Sequence, residues 1–302
     1  MVFFPFLAIL ALAWVTTATP VVRTVFGPTS YEPATDLPVD WHLLSQAAGM
    51  AQQTICDQNT IGMEIGDAKL LWSQWLGIVN QRVNVFHSKS LGVSVAFEST
   101  TGSLFSILHD ADFFLTKPVG PLAPALNDHA WIDQGFQGAY LDIAEPTFAQ
   151  VKKAMKDYNE TRVSIVGHSL GAAMALLAAM DYDHRLKHGV HHCFAFGLPR
   201  TGNAAFAKQV DDQLLGKFYY VVNGKDWVPH MPSREWGYQH PSGQIWINPP
   251  NTAHWAFYPG QENHYGANSV EPIWTFEDHH GVYFHTGLGH GPGKCPAEVN
   301  AA

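Results

Sequence analysis

The sequence predicts an α/β fold, a mostly parallel central sheet flanked by helices in a single domain. Two observations predict it. From residue 163 onward, β-branched and aromatic runs (163–166, 191–196, 218–222) alternate with stretches of high helix propensity (170–180, 204–214), the pattern of helical crossovers between parallel strands. The composition agrees: over 302 residues, 46% are hydrophobic and 14% charged, enough apolar side chain for one large core. Neither an internal repeat nor a linker divides the chain.

Taken in order, residues 2–15 are almost entirely apolar and run into Thr16-Thr17-Ala18. That span is too short for a stable membrane helix, and no stop-transfer pattern follows it. It reads as a secretory signal over 1–18, with the remaining domain over 19–302. The alternative, a retained anchor, arises because no Lys or Arg precedes the apolar run. Apolar residues at helical spacing (Trp41, Leu44, Ala48, Met50, Ala51) predict a helix over 40–55, and strands are expected at 69–76, 82–88 and 91–97. Residues 103–110 form a short amphipathic segment, followed by a strand at 112–115 and a Pro-rigid loop at 118–124. A helical stretch covers 138–158. Asn159-Glu160-Thr161 is a glycosylation sequon in the loop beyond it, which fits a secreted surface.

The chain has three cysteines. Cys193 lies in an apolar strand-like run, where a thiol behaves as a small hydrophobe. In an oxidising compartment the expected bridge is therefore Cys56–Cys295, tying the first helix to the C-terminus. A net charge of −9 argues against nucleic acid and against electrostatic docking on anionic lipid, so any membrane contact should be hydrophobic. Seventeen histidines make the charge depend strongly on pH.

The chemistry centres on Gly167-His168-Ser169-Leu170-Gly171. It joins a β-branched strand to an Ala/Leu/Met helix and fits G-x-S-x-G, in which the serine occupies a strained strand-to-helix turn. Flanking glycines let neighbouring backbone pass without a Cβ clash. The helix N-terminus and the N–H of Leu170 favour negative charge beside the serine hydroxyl, where an acyl-transfer oxyanion would form. Ser169 is thus the candidate nucleophile. Such a serine needs a base, and the base needs an orienting carboxylate. Asp226 follows a buried strand directly and precedes Trp-Val-Pro, whereas Asp211, Asp212 and Glu235 read as solvated charges. For the base, spacing leaves His254, His264, His279, His280, His285 and His290 open. The loop-like run Glu277-Asp278-His279-His280-Gly281 is favoured, without separating His279 from His280. Zinc ligation by the His-rich stretches 184–192 and 278–285 is a competing reading, but their spacing fits no metal signature.

These residues resemble the fungal class 3 lipases, secreted triacylglycerol lipases and their relatives acting on mono- and diacylglycerols. The resemblance runs from about residue 83 to 284 and rests on Gly167–Gly171, on Phe196-Gly-Leu-Pro-Arg-Thr-Gly-Asn203, and on Asn223-Gly-Lys-Asp-Trp-Val-Pro-His-Met-Pro232 followed by Glu235-Trp-Gly-Tyr238. It implies an α/β-hydrolase fold with a short lid. The family's base lies in His-x-x-Tyr-Phe, which His280-Gly-Val-Tyr-Phe284 matches, so the resemblance implies His280. Its second oxyanion donor lies in Phe-Arg-Gly-Ser/Thr. Here the matching run is Phe97-Glu98-Ser99-Thr100, which implies Thr100 as partner of the Leu170 N–H, with Glu98 and Ser99 departing from the usual Arg-Gly. The glutamate form resembles the branch of secreted yeast mono- and diacylglycerol lipases. The family's lid falls on 101–110, with Leu104, Phe105, Ile107 and Leu108 as an apolar underside, and Trp227 is a candidate pocket wall.

The expectation is a secreted, monomeric carboxylic-ester hydrolase acting on acylglycerols at a lipid–water interface, without metal or organic cofactor. An esterase for soluble or phenolic (feruloyl) esters on the same scaffold is the alternative. A catalytically silent lipid-binding relative is the rival from outside enzymes.

Overall fold

The computed structural model describes residues 27–78, 81–99, 113–273 and 276–300. Among these, nine strands form one sheet, in the spatial order in which the chain makes them: β1 (Glu64–Ile65), β2 (Ala68–Leu76), β3 (Gln81–Ser88), β4 (Gly92–Phe97), β5 (Val163–His168), β6 (Val190–Phe196), β7 (Phe218–Asn223), β8 (Gln244–Ile247) and β9 (Trp255–Tyr258). Strands β4 to β8 are parallel. β1 to β4 pair antiparallel, and so do β8 and β9. The sheet is therefore mixed, with the parallel block at its centre. The signal segment expected over 1–18 lies outside the described residues.

The central strands are largely buried, β5 and β7 at every residue, as expected where both faces of a parallel sheet are covered. On one face lie α2 (Gln134–Leu141), α3 (Ala144–Asp157), α4 (Leu170–Arg185) and α5 (Ala204–Leu214), packing Tyr140, Val151, Met174, Leu177 and Phe206 into the larger core. On the other, α1 (Trp41–Thr54) buries Leu44, Ala48 and Met50 with Phe86, Phe194 and the C-terminal Tyr283 and Phe284. α4 is buried from Leu170 through Asp183, and its Ala-rich surface, apolar all round as far as Met180, is what a central helix requires. The disulfide joins Cys56, just beyond α1, to Cys295, and Cys193 is a free, buried thiol on β6.

Two expectations change in the structure. The single helical stretch over 138–158 is two helices, α2 and α3, broken at Asp142 and Ile143. Pro146 sits in the first turn of α3, where its ring would clash with the carbonyl of residue 142 in a continuous helix. Asp133 caps α2, accepting from the Phe136 N–H at 3.0 Å, which starts the helix four residues earlier than expected. The strand expected at 112–115 is Leu115–Thr116, paired with Ile132–Asp133. That pair joins Gly202–Asn203 and Tyr238–Gln239 in a small four-stranded sheet built from the connections that follow β4, β6 and β7. β8 and β9 had no counterpart in the sequence reading.

Candidate active site

The parallel strands end on one rim, where the extensions of β5 and β7 meet the loop that carries His279. β5 leads into Ser169, which takes φ +59° and ψ −126° before α4 begins. A non-glycine residue at positive φ is strained, and a chain holds it only where its surroundings over-determine it. Here they do: the Ser169 N–H donates to the Phe196 carbonyl at 2.9 Å, and the Ser169 carbonyl accepts the Ala172 N–H at 2.9 Å. The two glycines of the motif are required by contact. A Cβ on Gly167 would stand 2.0 Å from the Gly171 carbonyl oxygen, and one on Gly171 would stand 2.3 Å from the Phe97 oxygen and 2.6 Å from the Glu98 oxygen. α4 is thereby pressed against the ends of β4 and β5. As the first residue of α4, Leu170 has an N–H beyond the reach of any intrahelical acceptor.

β7 leads into Asp226. This residue is fully buried, and one carboxylate oxygen, Oδ1, accepts the Val228 N–H at 2.9 Å. The other, Oδ2, lies 2.8 Å from Nδ1 of His279, which is also fully buried. This is the main correction to the sequence expectation, which gave the partner as His280. The two adjacent histidines leave the chain in different directions: the His279 ring turns inward to Asp226, while His280 stacks on Phe276 with ring centroids 5.4 Å apart. The inward space is provided by Gly197, at φ +56°, where a Cβ would come within 2.7 Å of His279 Cε1 and 3.1 Å of Asp226 Oδ2.

The loop carrying His279 is fixed by groups that sequence reasoning missed. The Lys225 N–H donates to Asp278 Oδ2 at 2.7 Å, and Asn223 Nδ2 donates to the Asp278 carbonyl at 2.9 Å. Asn251 accepts from the Val282 N–H at 2.7 Å through Oδ1, and its own N–H donates to Asn223 Oδ1 at 2.9 Å. The Asn223 and Lys225 of the Asn-Gly-Lys-Asp run are thus the fasteners that bind the histidine loop to the aspartate loop. Their presence beside Asp226 was the available signal; their long-range partners were not.

His168 packs against the candidate base, its ring centroid 4.4 Å from that of His279. Its Nε2–H donates to the His279 carbonyl at 3.1 Å, and the Tyr283 hydroxyl donates to the same oxygen at 3.1 Å. Complete burial, reinforced by the neighbouring His279 and His280, pushes the His168 pKa well below the ordinary value, so it serves as a neutral donor. Burial and the adjacent His279 likewise lower that of His280 to about 4. Among the described residues, Ser169 Oγ and His279 Nε2 are both buried without a hydrogen-bond partner. An imidazole whose Nδ1–H is held by a carboxylate presents Nε2 as an acceptor, the tautomer needed to take a proton from a serine.

Of the remaining sequence candidates, Trp227 is buried beside Asp226, edge-on to Phe276 at 6.2 Å. Asn159 is exposed in the turn after α3. Thr100 and the lid residues Leu104, Phe105, Ile107 and Leu108 lie outside the described residues. Among the described residues, no cluster of three or more His, Cys, Asp or Glu side chains is placed to hold a metal, and no helix is long and apolar enough to cross a membrane.

Comparison with known proteins adds to this geometry. The class 3 lipase family matches residues 94–236. A secreted mono- and diacylglycerol lipase of Malassezia restricta, LIP4, is 59% identical over 280 residues, covering 93% of each chain. LIP1 of Malassezia globosa, of the same description, is 44% identical over 99% of this chain and 98% of its own. Among solved structures, the lipase of Rhizopus microsporus var. chinensis superposes with a TM-score of 0.72 at 27% identity, covering 88% of this chain and 98% of the other. A triacylglycerol lipase whose catalytic centre is described as a serine protease triad shares the fold, with a TM-score of 0.70 at 24% identity.

Proposed function

Since the chain belongs to the class 3 lipase family and has its α/β-hydrolase fold, we propose that it is a secreted lipase that hydrolyses acylglycerol esters, mono- and diacylglycerols above all, through Ser169, His279 and Asp226. The observation that carries this reading is the buried His279–Asp226 hydrogen bond on the same rim as a serine held at positive φ.

Ser169 Oγ attacks the ester carbonyl as its proton passes to His279 Nε2. Asp226 holds the imidazole by Nδ1 and stabilises the imidazolium that forms. The tetrahedral oxyanion is received by the Leu170 N–H at the start of α4 and by Thr100, just beyond β4, in the role its place in the sequence implies. Collapse of the intermediate breaks the ester C–O bond, and the glycerol oxygen leaves with the proton from His279. Water then attacks the acyl-serine with His279 again as base, releasing the fatty acid and restoring the serine. The buried setting of the pair keeps these charges in a low-dielectric site, where fixed dipoles act strongly. Trp227 fits a wall of the acyl pocket, and Asn159 a glycosylation site of the secreted protein.

The preference for partial glycerides is supported by the names of the Malassezia relatives. It is tested by initial rates on tributyrin, a diacylglycerol, a monoacylglycerol and methyl ferulate, below and above the concentration at which the lipids form an interface. A rate jump at the interface with mono- and diacylglycerol turnover is expected, and it would support a lid over 101–110. Smooth saturation with preference for the ferulate would make the protein an esterase for phenolic esters.

A further inference from the structure

The last paired residues of β3 and β4 are Val83 and Phe97. One step further, Arg82 and Glu98 face each other where an antiparallel ladder would exchange two backbone hydrogen bonds. Only one is made between the main chains, from the Glu98 N–H to the Arg82 carbonyl at 3.0 Å. The second donor, the Arg82 N–H, gives its hydrogen bond to the Glu98 carboxylate, Oε2, at 2.7 Å. The side chain has taken the place of its own carbonyl.

This substitution has a geometric result. The Glu98 carbonyl is released from the ladder and turns over α4, where, with the Phe97 carbonyl, it forms the surface against which Gly171 packs. β4 thus leaves β3 and is laid on the start of α4 two residues before Thr100, without stranding a buried N–H. Glu98 itself is 2% exposed. Its other oxygen, Oε1, is buried without a hydrogen-bond partner among the described residues. The Arg82 guanidinium points elsewhere, donating to the Cys56 carbonyl and lying 4.2 Å above the Trp75 ring.

We propose that Glu98 is a positioning residue for ester hydrolysis: its carboxyl, by replacing a backbone acceptor, fixes the course of the chain from β4 to the oxyanion-binding residue. The inference rests on the assignment of Thr100 and Leu170 as oxyanion donors. It accounts for the departure of this run from Phe-Arg-Gly, because an arginine has no acceptor with which to meet the Arg82 N–H. Among the described residues, the charged and titratable groups around Glu98 are Arg82 from β3, and Asp57 from the loop after α1 and His290 from the C-terminal loop, the last two lining with it a cavity of about 660 Å³.

Three variants separate positioning from packing, assayed by hydrolysis of soluble p-nitrophenyl butyrate with the full-length protein. Glu98→Gln keeps an acceptor at the same reach and is expected to retain kcat within about threefold of the parent. Glu98→Asp keeps the carboxyl group but falls one methylene short, and Glu98→Leu keeps the volume but has no acceptor. Both are expected to lower kcat about 10–100-fold with KM nearly unchanged, less than the loss of a whole oxyanion donor. Inactivation by a p-nitrophenyl alkylphosphonate, which forms a charged tetrahedral adduct, should slow by the same factor. Should Glu98→Leu not fold, Glu98→Asp gives the same readout. The proposal is overturned by parental kcat in Glu98→Asp or Glu98→Leu, by Glu98→Gln as impaired as these, or by a loss confined to KM. Ser169→Ala, run alongside, tests the underlying mechanism separately: hydrolysis retained there would remove the serine mechanism whatever the Glu98 variants do.

Discussion

His279 Nδ1 lies 2.8 Å from Asp226 Oδ2, and both side chains are fully buried. Behind the pair stands Gly197, close enough that one added methyl group would touch both. Gly197→Ala is therefore expected to displace the imidazole and lower kcat about a hundredfold, the usual penalty for roughly 1 Å of misplacement. Circular dichroism and thermal melting should show the fold retained. Parental kcat in this variant would contradict the tight contact.

A second buried pair supports the loop after Asp226. Arg200 holds Glu262 through Nε–Oε1 at 2.7 Å and Nη2–Oε2 at 3.0 Å, and its third nitrogen donates to the carbonyls of His230 and Pro232. Burial alone would raise the Glu262 pKa, but the Arg200 charge and hydrogen bonds bring it down to about 2. A depressed carboxyl pKa stabilises the fold above its unfolded value and loses that contribution as pH falls toward the folded one. Glu262→Gln is expected to lower unfolding free energy by about 3–5 kcal/mol at pH 7, since it leaves a buried arginine unpaired. The deficit should shrink as pH approaches 2 in urea titrations. A deficit independent of pH would place the effect in packing.

Glu98 has the opposite sign. Burial raises its pKa from the usual range to about 7, against the lowering effect of the Arg82 N–H and the Arg82 charge. A raised carboxyl pKa favours the folded state fully below about 4.5, and that contribution is lost as pH rises through about 7. Melting temperatures of the parent and of Glu98→Gln should therefore diverge between pH 5 and pH 8, the parent losing ground. Parallel curves would contradict the raised pKa of Glu98.

The Cys56–Cys295 bridge spans 239 residues. Replacing both cysteines by serine is expected to cost about 2–5 kcal/mol, the range for loss of a native disulfide. The active-site rim is held by other strands and loops, so activity at 25 °C should persist. Inactivation at 25 °C with the fold intact would tie the bridge to the site itself.

What could be read from the sequence was what is determined locally. The strand–elbow–helix around Ser169 is written in adjacent residues, and Asp226 follows directly on β7. The disulfide came from which cysteine sits in an apolar run. The base was not local. His279 and His280 are neighbours, and the choice between them depends on which way the loop is turned by Asn223, Lys225 and Asn251, residues 28 or more positions away in sequence. A spacing pattern ending in Tyr283-Phe284 favoured His280; the space left by Gly197 favours His279. The break between α2 and α3 was legible in Pro146. β8 and β9 were not, because their register comes from β7 and from each other.

The central claim is that His279, not its neighbour, is the base. The most direct test measures kcat of His279→Ala and His280→Ala on the same emulsified diacylglycerol and on p-nitrophenyl butyrate, with folding checked by thermal melting. The expected result is a loss of about 10⁴-fold or more for His279→Ala, as for removal of a triad member, and of no more than about tenfold for His280→Ala. The reverse order would contradict the account.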